Sequence, residues 1–299
     1  MTKYSSLQDI SKAVSAFIDS DNPSSKMLKN EIIDRLLVIG GVAVIGGLVR
    51  DIALYGVDDR PISDMDLVVS GDPRRLDKIA KSLDATPNRF GGYSVKSEGF
   101  KVDFWALSRT WARTAGHVKV SSLGELPQST FFDWDAIVYI ISTKKTYAIN
   151  GYIDRLNSRV LDINLLDNPS VKGNLVRALR RIMMWDARPS KRLYDFIDIN
   201  AGNYSWNEIV EAEFGAFQVR YLEGFSSYKQ YKEDVIRRGV FSHLGRDKTR
   251  EQLLPMSICR SVKGVHLDDY NEAISLISTA REKPKRRKLD KVSQKTLFD

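Results

Sequence analysis

The stretch from Gly46 to Leu67, GGLVRDIALYGVDDRPISDMDL, constrains this 299-residue chain more than any other. Val42-Ala43-Val44-Ile45 reads as a short buried strand, Gly46-Gly47 as a tight turn and 48–54 as the start of a helix. Such a turn leaves backbone N–H groups at the positive end of a helix, where phosphate oxygens bind, and Arg50 adds a charge-assisted donor. Farther on, 63–69 reads as extended, so Asp64 and Asp66 emerge on one face. Converging carboxylates repel unless a cation neutralises them, and Mg²⁺ prefers carboxylate oxygens, waters and substrate phosphates. Two such ions, about 4 Å apart, activate an attacking hydroxyl and stabilise a departing pyrophosphate. A glycine turn or an Asp-x-Asp pair is ordinary alone; together they point to metal-assisted nucleotide transfer.

The combination resembles the head domain of the poly(A) polymerase and CCA-adding tRNA nucleotidyltransferase family, in its bacterial and eukaryotic class (class II). That family carries GG-x-VRD, a short helix ending in Gly, then D-x-D. Gly46, Gly47, Val49, Arg50 and Asp51 match the first element, Gly56 the helix end, and Asp64 and Asp66 the metal ligands. The resemblance implies an α+β fold: a nucleotidyltransferase (polymerase beta-like) mixed-sheet head followed by a mainly helical domain. It extends more weakly to Phe100-Lys101-Val102-Asp103-Phe104, like the family strand that supplies a further carboxylate, making Asp103 a third catalytic and metal-binding candidate. By strand alternation Val102 and Phe104 face one way and Asp103 the other. Gly151 to Leu156 with Arg159 is similar to the G-x-x-D-L-x-x-R segment that braces the head. Leu175 to Arg180 resembles the LR-x-LR helix that opens the neck, with Arg177 and Arg180 three residues apart on one face as nucleotide-binding candidates.

The chain also departs from the family pattern. Where relatives place Arg-Arg-Asp before Thr-x-Asn-Ala, it has Ser129 to Ala136, STFFDWDA, without the arginine pair that helps bind the incoming nucleotide. Asp133 reads as a turn or strand-edge residue in water. The acidic-arginine motif that selects CTP and ATP has no clear copy, and the chain is short for a full head, neck, body and tail.

Composition is that of an ordinary globular protein, 42% hydrophobic and 28% charged. No segment approaches the roughly 20 apolar residues of a membrane span, and the N-terminal run is polar. Cys259 is the one cysteine, which excludes an intrachain disulfide and a cysteine-rich zinc site and fits a reducing cytoplasm. The net charge of +8 favours polyanionic partners. It concentrates in the 281–288 run and in a second cluster, Arg177, Arg180, Arg181, Arg188, Lys191 and Arg192. If such groups make about five contacts to single-stranded phosphates, the log–log salt slope is about −3.5.

Punctuation divides the chain into a helical extension (1–35, broken at Asp21-Asn22-Pro23), the head (36–165), a helical domain (166–280) and a basic tail (281–299). Within the head, strands are expected at 42–45, 64–69, 92–97, 100–106 and 136–142, and helices at 48–55 and 73–83. Helices follow at 170–186, 190–199, 206–223, 226–237, 248–260 and 267–281. The aromatics of the second half fall at helical spacing and read mostly as core.

These readings converge on a Mg²⁺-dependent enzyme adding NMP from an NTP to the 3′ end of RNA, tRNA above all. Asp64, Asp66 and Asp103 are its metal ligands, and Gly46, Gly47 and Arg50 grip the triphosphate. Two alternatives stand beside it: a toxin or phage-defence transferase that disables tRNA or another acceptor, and a non-catalytic RNA-binding protein on the same fold.

Overall fold

The computed structural model of the chain describes residues 2–57, 64–97 and 100–240. Expected features beyond these, including the 248–260 and 267–281 helices, Cys259 and the basic tail, lie outside the described residues. Helices α1 (Leu7–Ile18) and α2 (Pro23–Met27) open the chain, and a π-helical turn Leu28–Ile33 runs on into α3 (Asp34–Leu37). Ser6 caps α1 by accepting from the Asp9 N–H, and Asn22 caps α2 immediately before Pro23, so the expected break is where a new helix begins.

There follow β1 (Gly41–Ile45), α4 (Gly47–Tyr55), β2 (Met65–Ser70), α5 (Pro73–Ser82), β3 (Thr86–Pro87), β4 (Tyr93–Ser97) and β5 (Phe100–Ala106). Next come α6 (Trp111–Thr114), a 3₁₀ segment Leu123–Ser129, β6 (Ile137–Ile140), β7 (Lys145–Ala148) and α7 (Tyr152–Ser158). Seven strands form one mixed sheet in the order β3-β4-β5-β2-β1-β6-β7, with β2 and β5 parallel and the other neighbours antiparallel. The architecture is therefore α+β, as expected.

Strand alternation separates the sheet's two faces. Val42, Val44, Met65, Leu67, Val69, Val102 and Phe104 are buried in the main core with α1 and α4. Ala43, Val68 and Val138 point the other way, into a smaller cluster closed by Leu123 and Leu126. Asp66 and Asp103 belong to this second face by register, beyond the patch that the 3₁₀ segment covers. Edge strand β7, which the sequence reading left out, is short and alternates outward-facing Lys145 and Tyr147 with buried Thr146. Ser11 of α1 joins that edge, donating to Thr146 Oγ1 (2.8 Å) and accepting the Thr146 N–H (3.0 Å).

A two-stranded parallel ladder, β8 (Val160–Leu161) with β9 (Arg188–Pro189), links the sheet region to the helices. These are α8 (Val171–Trp185), α9 (Lys191–Ala201), α10 (Trp206–Phe217) and α11 (Tyr228–Arg237). Helix α10 stops earlier than expected because Gln218 takes the left-handed conformation, φ 55°, and closes the last turn. Helix packing is pinned by Tyr231, whose hydroxyl donates to the Leu179 carbonyl at 3.0 Å, and by Trp206, whose indole N–H donates to the Leu222 carbonyl at 3.1 Å. One continuous hydrophobic core runs from Ile10 to Val240, so the extension and the helical domain pack on the sheet's own core.

Candidate active site

Gly46 is the hinge of the site. Its φ of 73° lies in the region that favours glycine, its N–H donates to the Ile137 carbonyl at 3.1 Å, and a Cβ built there meets no atom within 4 Å. The turn thus faces open space at the start of the nine-residue helix α4, whose first N–H groups have no intrahelical acceptor. Ile45, just before it, pairs with Asp66, and Asp66 pairs with Asp103 on the parallel neighbour. A row Ile45–Asp66–Asp103–Ser94 therefore crosses four strands beside the glycine turn.

Parallel pairing in register puts the Asp66 and Asp103 side chains on the same face. Burial and the neighbouring Asp103 and Asp64 carboxylates push the Asp66 pKa up to about 7; Arg177 and Lys101 work against that rise. Asp103 accepts from the Ser94 hydroxyl and lies 3.5 Å from Lys101 Nζ. Asp64 precedes β2 and is exposed. Among the described residues no group of three or more His, Cys, Asp or Glu is arranged to hold a metal ion by itself. Asp103 and Asp64 nevertheless lie near enough to act on Asp66, with Asp103 engaged by Ser94 and Lys101 as well. The donor chemistry nonetheless fits Mg²⁺, which needs only one or two carboxylates when waters and substrate phosphates complete its shell.

The arginines divide in a way the motifs did not indicate. Arg50, expected at the triphosphate, is 5% exposed, and its three guanidinium nitrogens are committed within the protein. Nε (2.8 Å) and Nη2 (2.7 Å) donate to Asp51 Oδ1, and Nη1 donates to Asp135 Oδ1. Its guanidinium also lies 4.6 Å from the Trp185 ring. Arg180 donates to Glu213, which is fully buried, and stacks on Phe217 at 4.1 Å. Both are thus held by carboxylates and aromatic rings of the protein itself. Arg177 differs: burial lowers its pKa, and Asp135 and Asp66 lie near enough for their charges to favour its cationic form. With Arg89 it lines a cleft between Ser170 at the head of α8 and Phe217 of α10.

Two further expectations need correction. Asp133 is 2% exposed, accepting the Asp162 N–H at 2.9 Å and lying 3.3 Å from Arg155, and burial pushes its pKa up to about 7. It is a buried brace, met by the Arg155 of the motif after Gly151. The second basic cluster is largely neutralised: Arg180, Arg181, Lys191 and Arg192 pair with Glu213, Asp135, Asp195 and Asp162. The sequence offers Arg181 only as part of a basic cluster and Trp185 only as a core aromatic, and it singles out neither Asp135 nor Arg89; the one available signal is that Asp135 stands where the family pattern has a neutral Asn.

No protein-family model matches the chain, and no curated protein matches it. It is similar in structure to a tRNA nucleotidyltransferase solved with a primer tRNA and an incoming ATP analogue, at 21% identity and TM-score 0.46, covering 68% of this chain and 60% of that one. A Thermotoga maritima CCA-adding enzyme solved with tRNA matches at 17% identity and TM-score 0.49, over 80% of this chain and 56% of that one. A tRNA-processing enzyme in an apo form matches at 20% identity and TM-score 0.46, over 64% and 55%. The chain therefore spans 55% to 60% of the length of these solved relatives. Among the described residues no helix is long and apolar enough to cross a membrane.

Proposed function

We propose that this chain transfers a nucleoside monophosphate from an NTP to the 3′ hydroxyl of RNA, tRNA first among acceptors, with Mg²⁺. The observation that carries the reading is the register Ile45–Asp66–Asp103, which sets two aspartates on one sheet face at the mouth of the Gly46-Gly47 turn. Around it stands the GGLVRD and D-x-D resemblance. Asp66 and Asp64 would hold the metal, with Asp103 beside them; bound there, Mg²⁺ supplies charge neutralisation on the phosphates and a more acidic hydroxyl. The α4 N-terminus receives triphosphate oxygens through its N–H groups. Arg177 faces the same carboxylates and offsets negative charge that grows on the phosphates as the α-phosphorus–oxygen bond to pyrophosphate breaks. Asp103, in register with Asp66 on the neighbouring strand, would take the proton of the attacking hydroxyl.

The test is incubation of the protein with Mg²⁺, each labelled NTP in turn, and RNA with or without a terminal CCA, beside the Asp64→Ala/Asp66→Ala variant. Label entering a tRNA-sized band with wild type alone is the expected result. Equal label with the double variant would end the mechanism. Pyrophosphate release without labelled RNA would shift the acceptor to a protein or small molecule.

A further inference from the structure

Asp135 sits where two parts of the chain meet. One carboxylate oxygen accepts from Arg50 Nη1, on the helix that begins at the glycine turn; the other accepts from Arg181 Nη2 at 2.7 Å, on α8, one turn beyond Arg177. Trp185 lays its ring against both guanidinia, 4.6 Å from Arg50 and 5.2 Å from Arg181, and Phe132 lies 4.2 Å from Arg181. Two arginines and two aspartates, Asp51 and Asp135, thus balance their charges between aromatic walls.

As a source of stability this arrangement is poor. Taking ions out of water costs about what their pairing returns, and an apolar cluster of similar volume commonly does as well or better. Arg181 Nη1 is moreover buried with no hydrogen-bond partner among the described residues. What the network does provide is a fixed distance and angle between α4 and α8. A carboxylate gripped by one arginine at each oxygen tolerates little sliding, because both short contacts are lost together.

We infer that Asp135 is a positioning residue that locks α8 onto the Gly46-Gly47 turn and so holds Arg177 in range of Asp66. The inference rests on the nucleotidyl-transfer reading of that site. Asp135 spends both oxygens on arginines, so it acts through them and not on substrate.

The decisive comparison uses the full chain as wild type, Asp135→Asn and Asp135→Asn/Arg181→Gln, with melting temperature and steady-state transfer measured on each. Asp135→Asn leaves two buried cations with one carboxylate and lowers the melting temperature. Removing the Arg181 charge as well restores the balance, and the double variant regains most of that loss. Its kcat is expected to stay about 10- to 100-fold below wild type, the scale of a displacement near 1 Å, with KM for the NTP changed less than about threefold. A kcat that recovers together with the melting temperature, or a loss confined to KM, would overturn the positioning role. If Asp135→Asn fails to fold, the double variant decides alone. A wild type that transfers no nucleotide would sink the reading of the site itself, an outcome distinct from an active wild type beside an equally active double variant.

Discussion

Two groups of charge near the Gly46-Gly47 turn use aspartate in opposite ways. At Asp66, burial and the Asp103 and Asp64 carboxylates combine to raise the pKa to about 7. At Asp135, burial also works to raise it, but the Arg181 and Arg50 charges outweigh burial and hold it below the usual carboxylate range. The second group closes its charge account inside the protein. The first sets carboxylates against one another, with Arg177 and Lys101 offsetting them only in part, and a carboxylate so strongly shifted beside a glycine turn is a candidate for function. The motif arginines Arg50 and Arg180 are both paired with carboxylates of the protein, which the motif alone does not indicate.

The comparison breaks most sharply if the two groups are emptied in turn. Asp66→Ala should lower nucleotide transfer by about 10³-fold or more while leaving the melting temperature equal or higher, because it removes charge stabilisation at the reacting phosphate and relieves crowding at once. Retained label incorporation in that variant would dissolve the distinction. Asp135→Ala should do the reverse in kind, destabilising the fold by about 3–5 kcal/mol through uncompensated buried arginines. For a chain of this size that is a fall in melting temperature of roughly 6–20 °C, read by calorimetry. An unchanged melting temperature would show that the arginines find water instead.

Arg177 and Arg180 sharpen the contrast within a single helix. Arg180→Ala strands Glu213, which has no exposed surface, and should cost about 3–5 kcal/mol of stability, with activity lost only as the protein unfolds. Arg177→Ala should leave melting nearly unchanged and lower transfer about 10- to 100-fold. If both variants behave alike in melting and in turnover, the two arginines do not have separate tasks.

The parts of this picture visible in the sequence are those encoded locally. The strand, glycine turn and helix at 42–55 fall in one continuous stretch, and the alternation around Asp103 follows from a two-residue period, so each is readable without knowing the fold. The arginine partners are not local: Arg50 finds Asp135 across 85 positions and Arg181 finds it across 46. A run of Arg and Lys from 177 to 192 counts as basic in sequence, whereas packing brings Glu213, Asp162 and Asp135 against it from elsewhere. Strand β7 escaped because its four residues carry two that face water, too short a run for alternation to register. Asp133 read as a turn residue, and its burial depends on Asp162 arriving from a distant segment.

The smallest expected effect is the most direct probe of the carboxylates beside the glycine turn. Asp66 has its folded pKa, about 7, above the ordinary value of 3.8, so the folded state binds more protons than the unfolded one between those limits. Its contribution to stability is complete below about pH 4 and is lost as the pH rises through 7. Because the side chain is partly open to water, the loss is roughly 2 kcal/mol, well short of the full linkage value. Denaturation followed from pH 4.5 to 8 in EDTA should show this decline in wild type and a shallower one in Asp66→Asn, whereas Asp135→Asn should be destabilised across the whole range. The contrast holds because Asp135, with its pKa depressed, stays ionised and contributes fully throughout that window. Parallel pH profiles for wild type and Asp66→Asn would mean that the carboxylates at the glycine turn are already neutralised within the protein, and the site would lose its claim on a metal.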